Sequence, residues 1–142
     1  MTEGQHRKIV PARRKARKRA VDILYESEIR TVATIDVLRE KTARADPPIS
    51  DYTQTLVEGV VEHWARIDEL ISGYAQDWTL DRMPPVDRNI VRVAVYELLW
   101  CDDIDKPVAI SEAVELAKSL STDDSPRFVN GLLGRLAERA TA

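Results

Sequence analysis

Pro84-Pro85-Val86-Asp87-Arg88-Asn89-Ile90-Val91-Arg92-Val93-Ala94-Val95-Tyr96-Glu97-Leu98-Leu99-Trp100 is the stretch on which the fold turns. Paired prolines suit a helix start, because a first-turn residue has no intrahelical partner for its N–H anyway. Ile90, Val91, Val93, Ala94, Val95, Leu98 and Leu99 then cover most of the helix circumference. A helix apolar nearly all round is buried between neighbours. Arg92 and Glu97 interrupt the run, which falls short of the ~20 apolar residues needed to span a membrane. The stretch therefore predicts the central helix of a bundle.

The flanking sequence supplies the neighbours. Toward the N-terminus, a helix is expected from near Pro11 to about Ile29, with Ala16, Ala20, Ile23, Leu24 and Ser27 facing inward. A shorter helix covers about Ala33 to Ala45 and stops at Asp46-Pro47-Pro48, since a residue before proline is pushed out of the α region. Ser50 or Asp51 caps a long third helix. Its series Leu56, Val60, Trp64, Ile67 and Ile71 keeps helical spacing up to Gly73. The linker from Tyr74 to Pro85 holds Trp78 and Leu80 and should pack down. Beyond the central helix come Pro107 to about Leu120, and then a last helix with Phe128, Val129, Leu132, Leu133 and Leu136. No run shows the period-two alternation of strands. The reading is an all-α, compact bundle of about six to seven helices.

Composition narrows the function classes. The chain has 142 residues, 44% hydrophobic and 32% charged, which suits one globular domain. Residues 1–11 read as a flexible basic N-terminal arm and 12–142 as a single domain. A single cysteine, Cys101, cannot form an internal disulfide and reads as a small buried hydrophobe. His6 and His63 leave too little material for a zinc site. Glu58, Glu62 and His63 lack the second histidine of a zinc-protease helix. The glycines at 4, 59, 73, 131 and 134 are scattered, so no phosphate-cradling loop exists. Gly131-Leu132-Leu133-Gly134 spells a KH-like signature, but its leucines suit helix packing better. No catalytic group, metal or cofactor is expected. A basic N-terminus without a following apolar region gives no secretory signal, so the expected location is cytoplasmic.

The distribution of charge says more than the net value of −3. From Arg7 to Arg19 there are eight basic residues and no acid; from Ala20 onward there are thirteen basic and twenty-three acidic residues. A basic arm on an acidic body is a footprint of nucleic-acid binding, or else a solvated helix face.

Four ordered blocks resemble the NusB transcription antitermination family. They are Ala12-Arg13-Arg14-Lys15-Ala16-Arg17 with Ala20-Val21 and Leu24-Tyr25; Trp78 to Arg82 with Val86-Asp87-Arg88 and Ala94 to Leu98; Val108 to Lys118; and Asp123 to Leu133. The resemblance covers about Ala12 to Leu136. It implies two packed three-helix sub-bundles and a non-enzymatic role. It also implies binding of boxA RNA in nascent ribosomal RNA transcripts together with the small-subunit ribosomal protein NusE, within the RNA polymerase antitermination complex. A homodimer that covers Arg13 and Arg14 is a further implication. Pro126 and Ser111 depart from the histidine and asparagine that many family members have there. Two rival readings stay open: the NusB-like domain of an RNA cytosine methyltransferase, which requires a following catalytic domain, and a helical adaptor without an RNA role.

Carried onto this sequence, the resemblance assigns RNA contact to Arg13, Arg14 and Arg17, with Lys15 and Lys18 beside them. Guanidinium forks match phosphate oxygens, and positions 13 and 17 share a helix face. Tyr25, Asp124, Arg127 and Phe128 complete the expected RNA surface. Phe128 either stacks a base or belongs to the core, and Asp124 either accepts from a base edge or caps the last helix. Asp87, Arg88 and Tyr96 are the expected contacts to the ribosomal protein. Asp87 also suits a helix N-terminus for dipole reasons alone, and Tyr96 suits the core equally well.

Overall fold

A computed structural model describes the backbone of residues 3–76 and 78–142, and side chains from residue 11 onward within that span. Among the described residues seven α-helices follow in order: α1 (Glu3–Arg30), α2 (Thr34–Arg44), α3 (Asp51–Glu62), α4 (Trp64–Tyr74), α5 (Pro85–Trp100), α6 (Lys106–Leu120) and α7 (Ser125–Arg139). A 3-10 turn at Leu80–Arg82 sits between α4 and α5, and no strand occurs among the described residues. Helices α1, α2 and α3 pack on one another, as do α4, α5, α6 and α7. The two groups meet through α5, which touches α1 and α3 as well as α4, α6 and α7. The all-α bundle is as the periodicity indicates and its two packed parts are as the resemblance implies, except that the second part holds four helices rather than three.

Two helix limits differ from expectation. α1 opens at Glu3, eight residues before the expected start, and carries an exposed Pro11 in its interior. The helix formers Gln5, Arg7 and Lys8 precede the proline, which removes a single backbone donor. Of the expected arm 1–11, residues 1 and 2 lie outside the described residues, as do the side chains of 3–10. The long third helix is in fact two, broken at His63 (φ −105°, ψ 19°). The His63 ring stacks on Trp100 of α5, with centroids 4.3 Å apart. One turn earlier, Gly59 lies so close to Tyr96 that an added Cβ would stand 2.1 Å from the ring's Cζ. The bend lets α3 and α4 each lie along α5, which a straight helix could not do.

The central helix is more than an apolar rod. Ile90, Val91, Val93, Ala94, Val95 and Leu98 are buried, as the sequence implies. So are Asp87, Asn89, Arg92 and Glu97. Together these four polar side chains tie α5 to every helix group around it. Asp87 accepts from Ser121 and Ser125 at the α6–α7 turn. Asn89 donates to Glu28 of α1 at 3.2 Å. Arg92 donates to both carboxylate oxygens of Asp68 in α4, at 2.9 and 3.1 Å, and its guanidinium lies 4.2 Å from the Trp64 ring centroid. Glu97 accepts from Arg17 of α1 and Tyr52 of α3. No buried side-chain nitrogen or oxygen among the described residues lacks a partner. Apolar burial drives the helices together, while these directional pairs fix which helix sits where.

Candidate nucleic-acid interface

The basic run of α1 divides into neutralised and free charges. Arg17 is 4% exposed, with Nε on Glu97 Oε1 at 2.8 Å and a terminal nitrogen on Oε2 at 3.0 Å. Burial works against its cation, but the hydrogen-bonded Glu97 carboxylate outweighs that and holds the pKa above the ordinary arginine value. Arg13 is half-buried, bonded to Asp103 at 3.2 Å and lying 4.7 Å over the Tyr52 ring. Arg14 is exposed yet forked onto both oxygens of Glu112 at 3.0 Å. Lys15 and Lys18 are exposed; Lys18 has only a loose pair with Asp22 at 3.5 Å.

The expectation that Arg13, Arg14 and Arg17 share an exposed face is therefore corrected. Arg17 precedes Leu24 by seven residues, two helical turns, so it points into the core with that leucine. The acid that receives it, Glu97, stands in the otherwise apolar stretch of α5, and that pairing was the available signal. The solvent-facing line on α1 is instead Arg14, Lys18 and Tyr25, at helical spacing on one face, with Lys15 beside them. Tyr25 is 38% exposed.

From this line a band of clefts crosses the molecule. Arg14, Lys15 and Lys18 border a cleft of about 300 Å³ against Glu112, Glu115 and Ser119 of α6. On the other side of α6, Ser111, Glu115 and Lys118 face Asn130 of α7 across a second cleft. The turn after α6 leads to a third, of about 430 Å³, lined by Trp78, Asp124, Arg127, Phe128, Gly131 and Arg135. Phe128 is half-buried and packs on Trp78 with centroids 4.8 Å apart at 51°. Its ring borders the cleft while its other side joins the core, so both readings of Phe128 hold in part. Asp124 occupies the N-cap position of α7 but its side chain makes no capping bond, leaving the exposed carboxylate free to accept from a base. Arg127 is exposed beside it. Pro126 sits in the first turn, where a proline is tolerated. Trp78, Asn130 and Arg135, not among the expected site residues, join this band; Trp78 does so by packing its ring on Phe128, as its expected packing-down allows.

The expected partner triad does not assemble. Asp87 is 0% exposed, with Ser125 Oγ donating to it at 2.7 Å, so it touches no outside surface. Tyr96 packs against Gly59, and its hydroxyl, held against Cys101, has its pKa raised by burial. Arg88, half-buried, is bonded to Glu28 at 2.6 Å and to the Met83 carbonyl at 2.9 Å. Consecutive residues of one helix project about 100° apart, so Asp87, Arg88 and Tyr96 serve three different neighbours. Glu28 instead borders an apolar cleft of about 350 Å³ with Val32, Ala33, Ile35, Val61 and Trp64. The exposed apolar side chain of Ile29 lies beside it on the chain, and Val32 in the lining is itself exposed. Among the described residues no group of three His, Cys, Asp or Glu could hold a metal ion, and no helix is long and apolar enough to cross a membrane.

The sequence profile of the NusB family matches residues 14–138. A transcription antitermination protein NusB of Kineococcus radiotolerans is 58% identical over 127 residues, covering 89% of this chain and 93% of that protein. Its counterpart in Thermobifida fusca is 60% identical over 128 residues, 90% of each chain. Among solved structures, Thermotoga maritima NusB superposes with a TM-score of 0.76 at 37% identity, over 89% of this chain and 91% of that one. A crystal structure of the antitermination factors NusB and NusE in complex with dsRNA gives a TM-score of 0.77 at 26% identity, covering 89% and 96%.

Proposed function

The chain belongs to the NusB family of transcription antitermination proteins, and on that premise we propose that it binds boxA RNA in nascent ribosomal RNA transcripts. It does so together with the ribosomal protein NusE and as part of the RNA polymerase antitermination complex. The observation that carries this reading is the band of clefts from Arg14, Lys15 and Lys18 across α6 to Phe128. Cations at one end suit phosphate oxygens, which position a strand without reading it. A partly open aromatic ring flanked by Asp124 and Arg127 suits a splayed base, which carries the sequence preference. A relative of this fold has been crystallised with NusE and RNA, which supports the same pairing here. For NusE we propose the apolar cleft bordered by Glu28, Val32 and Trp64, with Arg88 behind its rim, since apolar surface suits a protein partner. A homodimer over α1 would cover the same cations and compete with RNA. The relatives named above are antitermination proteins, which favours this reading over the methyltransferase and adaptor alternatives.

The test is binding of the purified chain to boxA-like and scrambled RNA, with and without NusE. The expected result is preference for the boxA-like strand, tightened by NusE. Phe128→Leu should erase most of that preference, on the order of the ~1–3 kcal/mol of one stacked base, while the salt dependence stays unchanged. Equal binding of both RNAs by the wild-type protein would overturn the proposal.

A further inference from the structure

The second flank of α1 carries Arg19, a charge that the band just described does not use. A groove of about 460 Å³ runs between α1 and the segment leading into α3. Lys15, Lys18, Arg19 and Asp22 line it from α1, and Pro47, Pro48 and Ser50 from the opposite side. Neither Lys15 nor Arg19 makes an ion pair among the described residues, whereas Arg13, Arg14 and Arg17 each face an acid. Asp22 is the groove's own acid, and it is paired with Lys18. Positions 14 and 19 project about 140° apart, so Arg14 and Arg19 point to opposite flanks of the helix. Lys15 and Lys18 stand on the crest between them and line both clefts.

We propose that this groove is a second phosphate-binding site, which takes the backbone of RNA flanking the boxA element after the strand crosses α1 at Lys15 and Lys18. The inference rests on the RNA-binding reading above. Lys15 and Arg19, the two cations of the groove without an acid partner among the described residues, stand one helical turn apart and match neighbouring phosphates of a single strand, and the Pro47-Pro48 wall offers a flat apolar surface to a base. The strand's continuity across the Lys15–Lys18 crest favours RNA over an acidic protein as the occupant.

The experiment compares a boxA-like RNA with the same RNA carrying an oligo-uridine tail, each titrated across a salt series. With two phosphate contacts in the groove, the tail should steepen the slope of log affinity against log salt by roughly 1.4. That amounts to roughly a 25-fold gain on passing from 1 M to 0.1 M salt. Lys15→Ala with Arg19→Ala should bring the ratio of tailed to untailed affinity close to one. Lys15→Gln with Arg19→Gln keeps the aliphatic stems and should do the same, which separates charge from packing. Arg14→Ala should weaken both RNAs and leave the ratio intact. The inference is overturned if the double variants keep the tail's gain, if the wild-type protein shows no gain, or if polyglutamate displaces the tail as well as free oligo-uridine does. Preference for boxA with no tail effect would leave the proposed function standing without the groove. A tail effect that depends on Lys15 and Arg19 without boxA preference would do the reverse.

Discussion

Replacing Arg17 separates a buried tie from an RNA contact, two roles that lead to opposite outcomes. The side chains of Arg17 and Glu97 are 5% and 1% exposed, and their fork is bidentate. In Arg17→Ala the Glu97 carboxylate stays buried with only the Tyr52 hydroxyl donating to it. Breaking one side of such a pair costs about 3–5 kcal/mol. For a chain of this size each kcal/mol lowers Tm by roughly 2–4 °C, so a fall of roughly 6–20 °C is expected. Replacing the whole cluster as Arg17→Met/Tyr52→Phe/Glu97→Leu removes every buried polar group at once and should restore most of the loss. The assay is urea unfolding followed by tryptophan fluorescence, with a salt titration of RNA binding on the folded variants. The RNA salt slope of Arg17→Ala should match wild type. Stability within ~0.5 kcal/mol of wild type, together with a slope reduced by ~0.7, would refute the reasoning and return Arg17 to the RNA surface.

Two further outcomes follow from the same geometry. Asp87→Ala removes the acceptor that holds Ser121 and Ser125, so the turn bearing Asp124 and Phe128 should loosen. Faster amide exchange across 121–128 and weaker boxA preference, with NusE binding unchanged, are expected; a selective loss of NusE binding would show instead that Asp87 meets the partner. Burial, with Glu97 and Asp103 nearby, pushes the Cys101 thiol up to about 11 from its ordinary 9.0. The thiolate, which is the reactive form, is therefore suppressed roughly hundredfold at neutral pH. Iodoacetamide labelling should keep rising with pH beyond 10, and a plateau near pH 9 would contradict it.

The sequence alone determined the all-helical class, the central place of α5 and the basic character of α1. Each is a statement about periodicity or local composition, and such statements survive folding because apolar stripes must be buried wherever the chain puts them. It also located Phe128 and Asp124 on one turn, since neighbours in sequence remain neighbours in space. Only the tertiary structure decided which charges are free. Arg13, Arg14 and Arg17 look alike in a list of basic residues, but their acids, Asp103, Glu112 and Glu97, lie eighty or more positions away, and of the three only Arg14 keeps a largely exposed side chain. Lys15 and Arg19 remain available because, among the described residues, the acids near them are paired elsewhere: Glu112 with Arg14, Glu115 with Lys118 and Asp22 with Lys18. Asp87 shows the same division: its position at the start of α5 was legible, while its burial came from two serines on another helix junction. The break at His63 was equally invisible, because the apolar spacing runs unbroken through it. What bends the chain there is the demand of Trp100 and Tyr96 for ring contacts, set by a helix thirty-odd residues further on. Local pattern fixes what each segment is, and long-range pairing of polar groups fixes what each surface can bind, because a charge satisfied inside the fold is no longer offered outside it.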